Sequence, residues 1–259
     1  MLQNGRVSDR SAGDVDYDRL DIAYAKLRRT DPRIAARVHA ALGPAATVVN
    51  VGAGAGSYEP GDRSVVAVEP SASMRAQRPA DAAPVIAASA EQLPFADQSL
   101  DAAMAMVTIH QWPQLDRGLS ELRRVARGPV AILTFDPAAL QQFWLGDYWP
   151  ELLASEARRF PSVDRVTVPL HSQTRITSVP IPLDCTDGFL EAYYGRPESF
   201  LNPAVRAAQS SWTFIHPDVV RHGLVQLAGD LDSGQWDDRY GELRSQPERV
   251  GSLRLVVSG

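Results

Sequence analysis

Three glycines and one acid are the residues of this sequence with the clearest chemical meaning. Gly52, Gly54 and Gly56 follow a short apolar run, and Glu69 ends a second apolar run at residues 65–68. Glycine lets a ligand approach the backbone closely because it has no Cβ atom. A carboxylate at the tip of a strand can accept hydrogen bonds from ribose hydroxyls. The pattern predicts a nucleoside-binding half of a doubly wound α/β fold.

The spacing of the glycines argues against two common nucleotide classes. A dinucleotide fingerprint needs a glycine three residues after the second one, and those positions here are Ser57 or Glu59. This mismatch disfavours an NAD(P)-dependent oxidoreductase. A Walker-type phosphate loop needs Gly-Lys-Ser/Thr, which the sequence lacks.

Four segments in the same order resemble the Rossmann-like, class I methyltransferases that depend on S-adenosyl-L-methionine (SAM). Within that class they are most similar to the type 11 group, which includes the ubiquinone and menaquinone methyltransferases. The segments are Asn50-Val51-Gly52-Ala53-Gly54-Ala55-Gly56, Glu69-Pro70-Ser71 with Met74, Ala90-Glu91-Gln92-Leu93-Pro94-Phe95, and Ser99-Leu100-Asp101. One glycine loop is weak evidence, whereas four segments in register are specific.

The resemblance implies an α/β fold with a doubly wound, mainly parallel sheet of seven strands. It also implies an N-terminal helical lid, and the irregular, aromatic stretch from Pro137 to about Thr174 indicates a cap inserted after the fifth strand. We expect the tail and lid at residues 1–43, the cofactor-binding core at 44–136, the cap at 137–175, and the rest of the same α/β domain at 176–259.

The alternation of strand and helix patterns supports this organisation. Strands are expected at residues 47–51, 65–68, 84–88, 100–107, 130–135 and 177–183, with an edge strand at 252–257. Helices are expected from 17 to 42, interrupted at Asp31-Pro32, and at 70–78, 115–127, 149–160, 188–194, 203–211 and 217–231. Asp31 is the expected N-cap of the second N-terminal helix, with Pro32 at its first position.

The resemblance also implies SAM as the cofactor and a set of residues that contact it. Glu69 would bind both ribose hydroxyls, and Met74 would lie against adenine or in the core. Tyr24 and Arg28 share a helix face, from which they would reach the cofactor carboxylate or only pack on the sheet. The expected set is Tyr24, Arg28, Asn50, Gly52, Ala53, Gly54, Gly56, Glu69, Pro70, Met74, Ser89, Ala90, Glu91, Met106 and Val107.

Two positions depart from the family pattern. The family usually has an acid where this chain has Asn50, and that acid helps to hold the cofactor amino group. Relatives often have Asp where this chain has Ser89, to receive the adenine amino group. Both departures remove an anion near the ligand, so they predict modest cofactor affinity, binding through the backbone, or closure by a lid.

The fourth strand leads into the expected catalytic face. His110 is the candidate catalytic residue, as a proton acceptor, a substrate-orienting group or a packing side chain. Trp112 is expected to form a wall of the substrate site. Phe143, Trp144 and Tyr148 would line an acceptor pocket or form the core of the cap. Arg196-Pro197-Glu198 would build substrate specificity, a dimer contact or a structural turn.

Composition narrows the class of protein. The chain has 259 residues, 44% of them apolar, and a net charge of −5, which suits one large α/β domain. No basic run exceeds two residues, so nucleic-acid binding is not expected. The single cysteine, Cys185, excludes an internal disulfide and a cysteine-cluster metal site, and it suggests a reducing, cytoplasmic setting.

No secretory signal or membrane span is visible in the sequence. The predicted function is methyl transfer from SAM to an O, N or C atom of a small molecule, in a monomer or homodimer without metal. Alignment of the nucleophile, the methyl group and the sulfur would dominate the rate. The alternative is a non-methylating member of the fold that keeps SAM structurally or catalyses another reaction.

Overall fold

A computed structural model of the chain describes residues 27–170 and 173–259. The predicted first helix, with Tyr24, lies outside the described residues up to position 26. Arg28, expected on the same helix, instead forms an isolated antiparallel β-bridge with Asp187. No helix in the described part of the chain is long and apolar enough to cross a membrane.

A seven-stranded sheet forms the centre of the molecule, in the order β3-β2-β1-β4-β5-β9-β6. Six strands run in the same direction, whereas β9 runs antiparallel to both of its neighbours. The strands are β1 (Thr47–Val51), β2 (Ser64–Val68), β3 (Val85–Ile86), β4 (Ala102–Met106), β5 (Val130–Phe135), β6 (Thr174–Ser178) and β9 (Leu253–Ser258). A separate pair is formed by β7 (Ile181–Pro182) and β8 (Glu248–Arg249). The predicted doubly wound sheet is confirmed.

Helices flank the sheet, and those at 32–41, 115–125, 150–159 and 217–233 have bounds close to the predicted ones. They are α1 (Pro32–Ala41), α2 (Ala72–Ala76), α3 (Leu115–Val125), α4 (Pro137–Leu140), α5 (Pro150–Arg159), α6 (Val163–Thr167), α7 (Pro203–Ala207), α8 (Pro217–Ser233) and α9 (Gln235–Tyr240). We call residues 137–170, which follow β5 and contain α4 to α6, the cap segment.

The core has two layers because alternate residues of each strand face opposite sides of the sheet. In β4, Met104 and Met106 belong to the layer that also contains α1 and most of the cap segment. Ala103 and Ala105 belong to the layer that contains α3. Burial on both faces explains the nearly continuous apolar runs of these strands.

The start of α1 is built as the sequence predicts. Asp31 caps the helix by accepting a hydrogen bond from the Arg33 amide at 3.0 Å, and Pro32 takes the first helical position. Burial of Asp31 opposes its ionisation, but hydrogen bonds from Arg33 and Thr186 lower its pKa to about 2. The Asp31 side chain therefore connects the start of α1 to the segment that contains Thr186.

Several predicted elements need correction. The strand predicted at the sheet edge is β9, which lies between β5 and β6, so β6 forms the edge instead. The strand predicted at 177–183 is two strands in different sheets, separated by Pro180, which has no N–H to continue a ladder. The helix predicted at 188–194 is a 3₁₀ turn at Leu190–Tyr193. The helix predicted at 203–211 ends at Ala207 and is followed by the 3₁₀ turn Ser210–Phe214.

Candidate active site

A cleft of about 510 Å³ lies at the carboxyl ends of β1, β2 and β4. The strand order reverses between β1 and β4, and such a reversal leaves a crevice where ligands bind in open α/β sheets. Most of the predicted cofactor residues line this cleft: Arg28, Asn50, Gly52, Ala53, Gly54, Glu69, Pro70, Met74, Ser89, Ala90, Glu91, Met106 and Val107. Tyr24 lies outside the described residues, and Gly56 is not among the lining residues.

The glycine loop takes a backbone shape that other residues adopt with strain. Gly52 and Gly54 have φ of +67° and +51°, in the left-handed region. A Cβ on Gly52 would lie 2.2 Å from the Thr108 hydroxyl oxygen. The amides of Gly52 and Ala53 donate to the carbonyl of Val68, at 2.9 and 3.0 Å. The loop is therefore fixed between the ends of β2 and β4.

Glu69 connects the glycine loop to the turn before α2. Its carboxylate accepts from the amide of Gly54 at 2.8 Å and from the amide of Ser71 at 2.9 Å. Each carboxylate oxygen has two acceptor positions, so both oxygens can accept one further hydrogen bond from a ligand in the cleft. Glu69 is otherwise buried at the base of the cleft.

Asn50 belongs to a buried polar network that the sequence did not predict. Its amide nitrogen donates to Glu59 at 3.1 Å, and Glu59 forms an ion pair with Arg78 at 2.8 Å. The Arg78 guanidinium also donates to the carbonyl of Gly54 at 3.2 Å. Both charged side chains are more than nine-tenths buried. This network therefore contacts the glycine loop. A Cβ on Gly56 would lie within 3.4 Å of the Arg78 and Glu59 side chains.

This network changes the interpretation of position 50, where the family usually has an acid and this chain has Asn50. A carboxylate is present after all, on Glu59, but Arg78 neutralises it and Asn50 separates it from the cleft. The Asn50 carbonyl oxygen is buried and has no hydrogen-bond partner among residues 27–170 and 173–259. An unpaired buried acceptor is costly, and this one belongs to a residue that lines the cleft.

Trp112 lies in the wall of the same cleft. A Cβ on Gly118 of α3 would lie 2.5 Å from the Trp112 ring and 3.3 Å from Ala90. Ser89, Glu91 and the predicted substrate residue Trp112 therefore share one end of the cleft. Glu91 is held there because its backbone carbonyl accepts from Arg117 at 2.8 Å.

A second and much smaller cavity, of about 50 Å³, lies between the sheet and the cap segment. We call it the His110 chamber. It is lined by Arg28, Val107, His110, Phe135, Leu140, Glu156, Arg159, Phe160, Phe189, Leu190, Glu191, Gln209, Ser210 and Ser211. Arg28 and Val107 line both cavities, so the chamber and the cleft meet at these residues. Val107 has φ of +51°, a strained conformation for a β-branched residue that is typical of functional sites.

His110 is buried in the wall of the chamber. Its ring lies 4.3 Å from the Phe160 ring, between centroids. Burial, together with the positive charges of Arg159 and Arg28, lowers the pKa of His110 well below its usual 6.5. The imidazole is therefore neutral at physiological pH. Its Nδ1 atom has no hydrogen-bond partner in the part of the chain that the structure describes.

The predicted aromatic acceptor residues lie elsewhere. Phe143, Trp144 and Tyr148 line neither the cleft nor the chamber, although Phe143 and Trp144 border a third, separate cavity. The Trp144 ring packs edge-on against Trp236 at 5.3 Å, and its N–H donates to the carbonyl of Tyr194 at 2.8 Å. These three aromatic residues are part of a buried core, which was the other interpretation of the sequence pattern.

Residues of the 184–198 segment also reach the site. Asp187 forms an ion pair with Arg28 at 2.6 Å and accepts from the Tyr58 hydroxyl at 2.7 Å. Arg196 instead donates to the backbone carbonyls of Cys185 and Ala192, which makes it part of a structural turn. The sequence did not predict Tyr58 or Asp187, because the two are brought together only by the tertiary fold.

Known proteins are similar to this chain in sequence and in structure. A family model described as a methyltransferase domain matches residues 49–132. A presumed methyltransferase from an antibiotic biosynthesis pathway of Anabaena variabilis is 31% identical, with a TM-score of 0.84 over 90% of this chain and 99% of that chain. The chain belongs to the class I SAM-dependent methyltransferases. SAM is therefore its cofactor. Neither match singles out the ubiquinone and menaquinone subgroup.

More distant structures share the fold alone. A SAM-dependent methyltransferase of Thermotoga maritima, named as a possible histamine N-methyltransferase, is 15% identical with a TM-score of 0.52, covering 93% of each chain. The [4+2]-cyclase SpnF is also 15% identical, with a TM-score of 0.50 over 87% of this chain and 80% of that one. No curated protein matches the sequence significantly.

The first prediction concerns the close contact at Gly52. Gly52→Ala forces a Cβ onto the Thr108 hydroxyl and adds about 1 kcal/mol or more of left-handed strain. We expect at least a tenfold loss of S-adenosylhomocysteine affinity in calorimetry, with a lower melting temperature. Gly61→Ala is the matched control, because no atom lies within 4 Å of its added Cβ. Equal affinities in the two variants would contradict the close contact.

The second prediction concerns the Asn50 network. Asn50→Asp places a second carboxylate beside Glu59, so we expect the unfolding free energy to fall by about 1–3 kcal/mol. Adding Glu59→Gln should recover much of this loss, because Arg78 then faces a single carboxylate again. Denaturant titration measures both effects.

Asn202→Asp is the control for the same chemical change at an exposed helix cap, where Asn and Asp are nearly equivalent. A more stable Asn50→Asp protein, or no recovery in the double variant, would show that the network does not hold the loop as described.

Proposed function

We propose that the protein methylates a small molecule held where the cleft meets the His110 chamber, with SAM lying in the cleft. The observation that carries the proposal is the shared wall: Arg28 and Val107 line both cavities. A methyl group at that point could pass from one cavity to the other without leaving the protein.

The residues along the cleft suit the successive parts of SAM, from adenine through ribose to the amino-acid end, and this order supports the placement. Glu69 has free acceptor positions for the two ribose hydroxyls, and Trp112 and Ala90 form an apolar end for adenine. The opposite end offers the unpaired carbonyl oxygen of Asn50 to the cofactor ammonium group, and Arg28 as a cation for its carboxylate. With adenine at Trp112, the sulfur would face Val107 and the chamber.

When bound, SAM supplies a methyl group on a positively charged sulfur that leaves as a neutral thioether. The protein has three tasks: to align the acceptor, to exclude water and to receive a proton if the nucleophile carries one. The chamber walls, Phe135 and Phe160, exclude water. Alignment of this kind can supply most of the rate enhancement.

His110 is the proposed proton acceptor. Its ring is neutral because burial lowers its pKa, and an unprotonated imidazole nitrogen can accept a hydrogen bond from a hydroxyl nucleophile. The low pKa makes it a weak base, so it acts as the methyl group is transferred rather than by ionising the acceptor beforehand. A neutral His110 also avoids placing a positive charge beside the sulfonium.

The third prediction tests the cofactor site. Glu69→Ala leaves ribose hydroxyls without acceptors, so we expect S-adenosylhomocysteine binding to weaken by about 1–3 kcal/mol in calorimetry. Asp62→Asn removes an exposed carboxylate outside the cleft and should leave the affinity unchanged. Unchanged affinity in Glu69→Ala would place the ribose elsewhere.

The fourth prediction tests His110 through pH. Because its folded-state pKa lies well below 6.5, kcat/KM for SAM consumption should stay level as the pH falls from 8 through 6.5, and decline only at more acidic pH. His110→Ala should lower kcat far more than it weakens S-adenosylhomocysteine binding. A decline centred near pH 6.5 in the wild type, or equal losses of both quantities, would contradict the role.

A further inference from the structure

We propose that Asp187 supplies the negative charge that position 50 lacks, by accepting a hydrogen bond from the ammonium group of SAM. Arg28, its ion-pair partner, would then face the carboxylate of the same amino-acid end. This inference rests on the placement of SAM in the cleft under the proposed function. Three observations support it: the pairing of Glu59 with Arg78, the position of Asp187 in the cleft wall, and the acceptor positions that Asp187 retains.

The amino-acid end of SAM carries an ammonium group and a carboxylate on the same carbon atom. Moving either charge out of water is costly unless the protein supplies an opposite charge. Asn50 lines the cleft but is uncharged, so it offers the ammonium group only a carbonyl oxygen. Glu59 is not among the lining residues, and it is already paired with Arg78. The counter-charge for the ammonium group is therefore expected from another residue of the cleft.

Three acidic residues line the cleft in the described part of the chain: Glu69, Glu91 and Asp187. Glu69 is the proposed ribose ligand, and Glu91 shares the end of the cleft that Trp112 forms for adenine. Asp187 instead lies 2.6 Å from the Nε atom of Arg28, the cation proposed for the cofactor carboxylate. Of the three, Asp187 is thus the acid at the amino-acid end.

Asp187 retains acceptor positions for a ligand. One of its carboxylate oxygens accepts from Arg28 at 2.6 Å, and the other accepts from the Tyr58 hydroxyl at 2.7 Å. A carboxylate oxygen has two acceptor positions, so each oxygen can accept one further hydrogen bond. The side chain is 4% exposed, and the residue lines the cleft. Asp187 therefore resembles Glu69, whose oxygens also hold protein donors while keeping positions for the ligand.

Tyr58 fixes the orientation of this carboxylate. Its φ is +64°, a strained value for a bulky residue that is typical of functional sites. The backbone is held there because the Tyr58 amide donates to the Thr30 hydroxyl at 2.9 Å and its carbonyl accepts from the His39 ring at 3.0 Å. Burial raises the pKa of Tyr58 well above 10, so its hydroxyl remains a donor to Asp187.

The backbone also holds Asp187 opposite Arg28. The two residues form an isolated antiparallel β-bridge, and the amide of Gly188 donates to the carbonyl of Leu27 at 2.9 Å. A Cβ on Gly188 would lie 2.7 Å from that carbonyl oxygen, so glycine allows the close approach of the two segments. The negative and positive charges are therefore held side by side by the fold itself.

Two opposite charges side by side suit a ligand end that carries both charges. With the ammonium group at Asp187 and the carboxylate at Arg28, each charge of the ligand meets its opposite. The four charges sum to zero, so the site gains no net charge when the ligand binds. An acid at position 50 would instead add a negative charge beside Glu59, which is 9% exposed and is a costly place for a second carboxylate.

The test measures the binding of four ligands to the full-length protein by calorimetry. The first is S-adenosylhomocysteine. Two analogues replace its amino-acid end with a 3-carboxypropyl group, which lacks the ammonium group, or with a 3-aminopropyl group, which lacks the carboxylate. The fourth ligand, 5′-methylthioadenosine, lacks both charges. We expect S-adenosylhomocysteine to bind the wild type at least tenfold tighter than each of the other three.

Asp187→Asn keeps an acceptor for the Tyr58 hydroxyl but removes the charge. It should reduce the preference for S-adenosylhomocysteine over the 3-carboxypropyl analogue to less than threefold, with the affinity for 5′-methylthioadenosine within twofold of the wild type. Asp184→Asn is the matched control, because it makes the same change in the same segment at a side chain that is 81% exposed and outside the cleft. An unchanged preference in Asp187→Asn, or equal weakening of all four ligands, would overturn the inference.

A double variant keeps the test decisive if Asp187→Asn unfolds because Arg28 has lost its counter-charge. Arg28→Gln together with Asp187→Asn removes both charges at once and leaves a neutral polar pair. We expect the double variant to bind S-adenosylhomocysteine less than threefold tighter than 5′-methylthioadenosine. A tenfold preference that survives in the double variant would show that the charged end is bound elsewhere, and the inference would be wrong.

Glu69→Ala separates this failure from failure of the proposed function, because every one of the four ligands carries the ribose. If Glu69→Ala weakens all four ligands but Asp187→Asn leaves the preference unchanged, SAM lies in the cleft and only the role of Asp187 is wrong. If Glu69→Ala changes no affinity, SAM does not lie in the cleft as proposed, and both proposals fail.

Discussion

The close approach of Gly52 to Thr108 is the constraint on which the cofactor site depends. The loop after β1 must pass between the end of β2, where it donates two hydrogen bonds to Val68, and the end of β4, where Thr108 occupies the space of a side chain. Glu69 then holds the next turn of the loop through the Gly54 amide. Arg78 holds the Gly54 carbonyl on the other side. The glycine loop is thus held by contacts with Val68, Thr108, Glu69 and Arg78.

The buried charged side chains around the site occur as ion pairs. Glu59 with Arg78, Asp187 with Arg28, and Glu156 with Arg159 are ion pairs that are largely buried. Buried pairs contribute little net stability but make a unique arrangement costly to change. Pairing does not cancel their fields completely, because the positive charges of Arg159 and Arg28 still help burial to lower the pKa of His110.

Local features of the fold could be predicted from the sequence, and long-range features could not. The glycine loop, Glu69 and the Asp31 cap are determined by neighbouring residues, so spacing and residue type were enough. Glu59 and Arg78 meet across the loop, and Arg159 meets Ser210 from a distant segment. Such contacts depend on how elements pack, which periodicity does not record.

Trp144 and strand β9 show the same limit. Trp144 carries the residue type expected of a ligand pocket, but its partners Trp236 and Phe200 come from distant parts of the chain, and they enclose it in a core. The position of strand β9 at the end of the chain predicts an edge strand, although its apolar residues Leu253, Leu255 and Val256 are typical of a strand covered on both faces.

The interior position of β9 has a consequence for the order of folding. Strand β6 pairs only with β9 in this sheet, and β5 relies on β9 for its second neighbour. A chain still being synthesised, before residues 253–258 emerge, presents β5 as an open edge and has no place for β6. Open edges of apolar strands recruit other chains, so aggregation during synthesis is a hazard until the last strand is inserted.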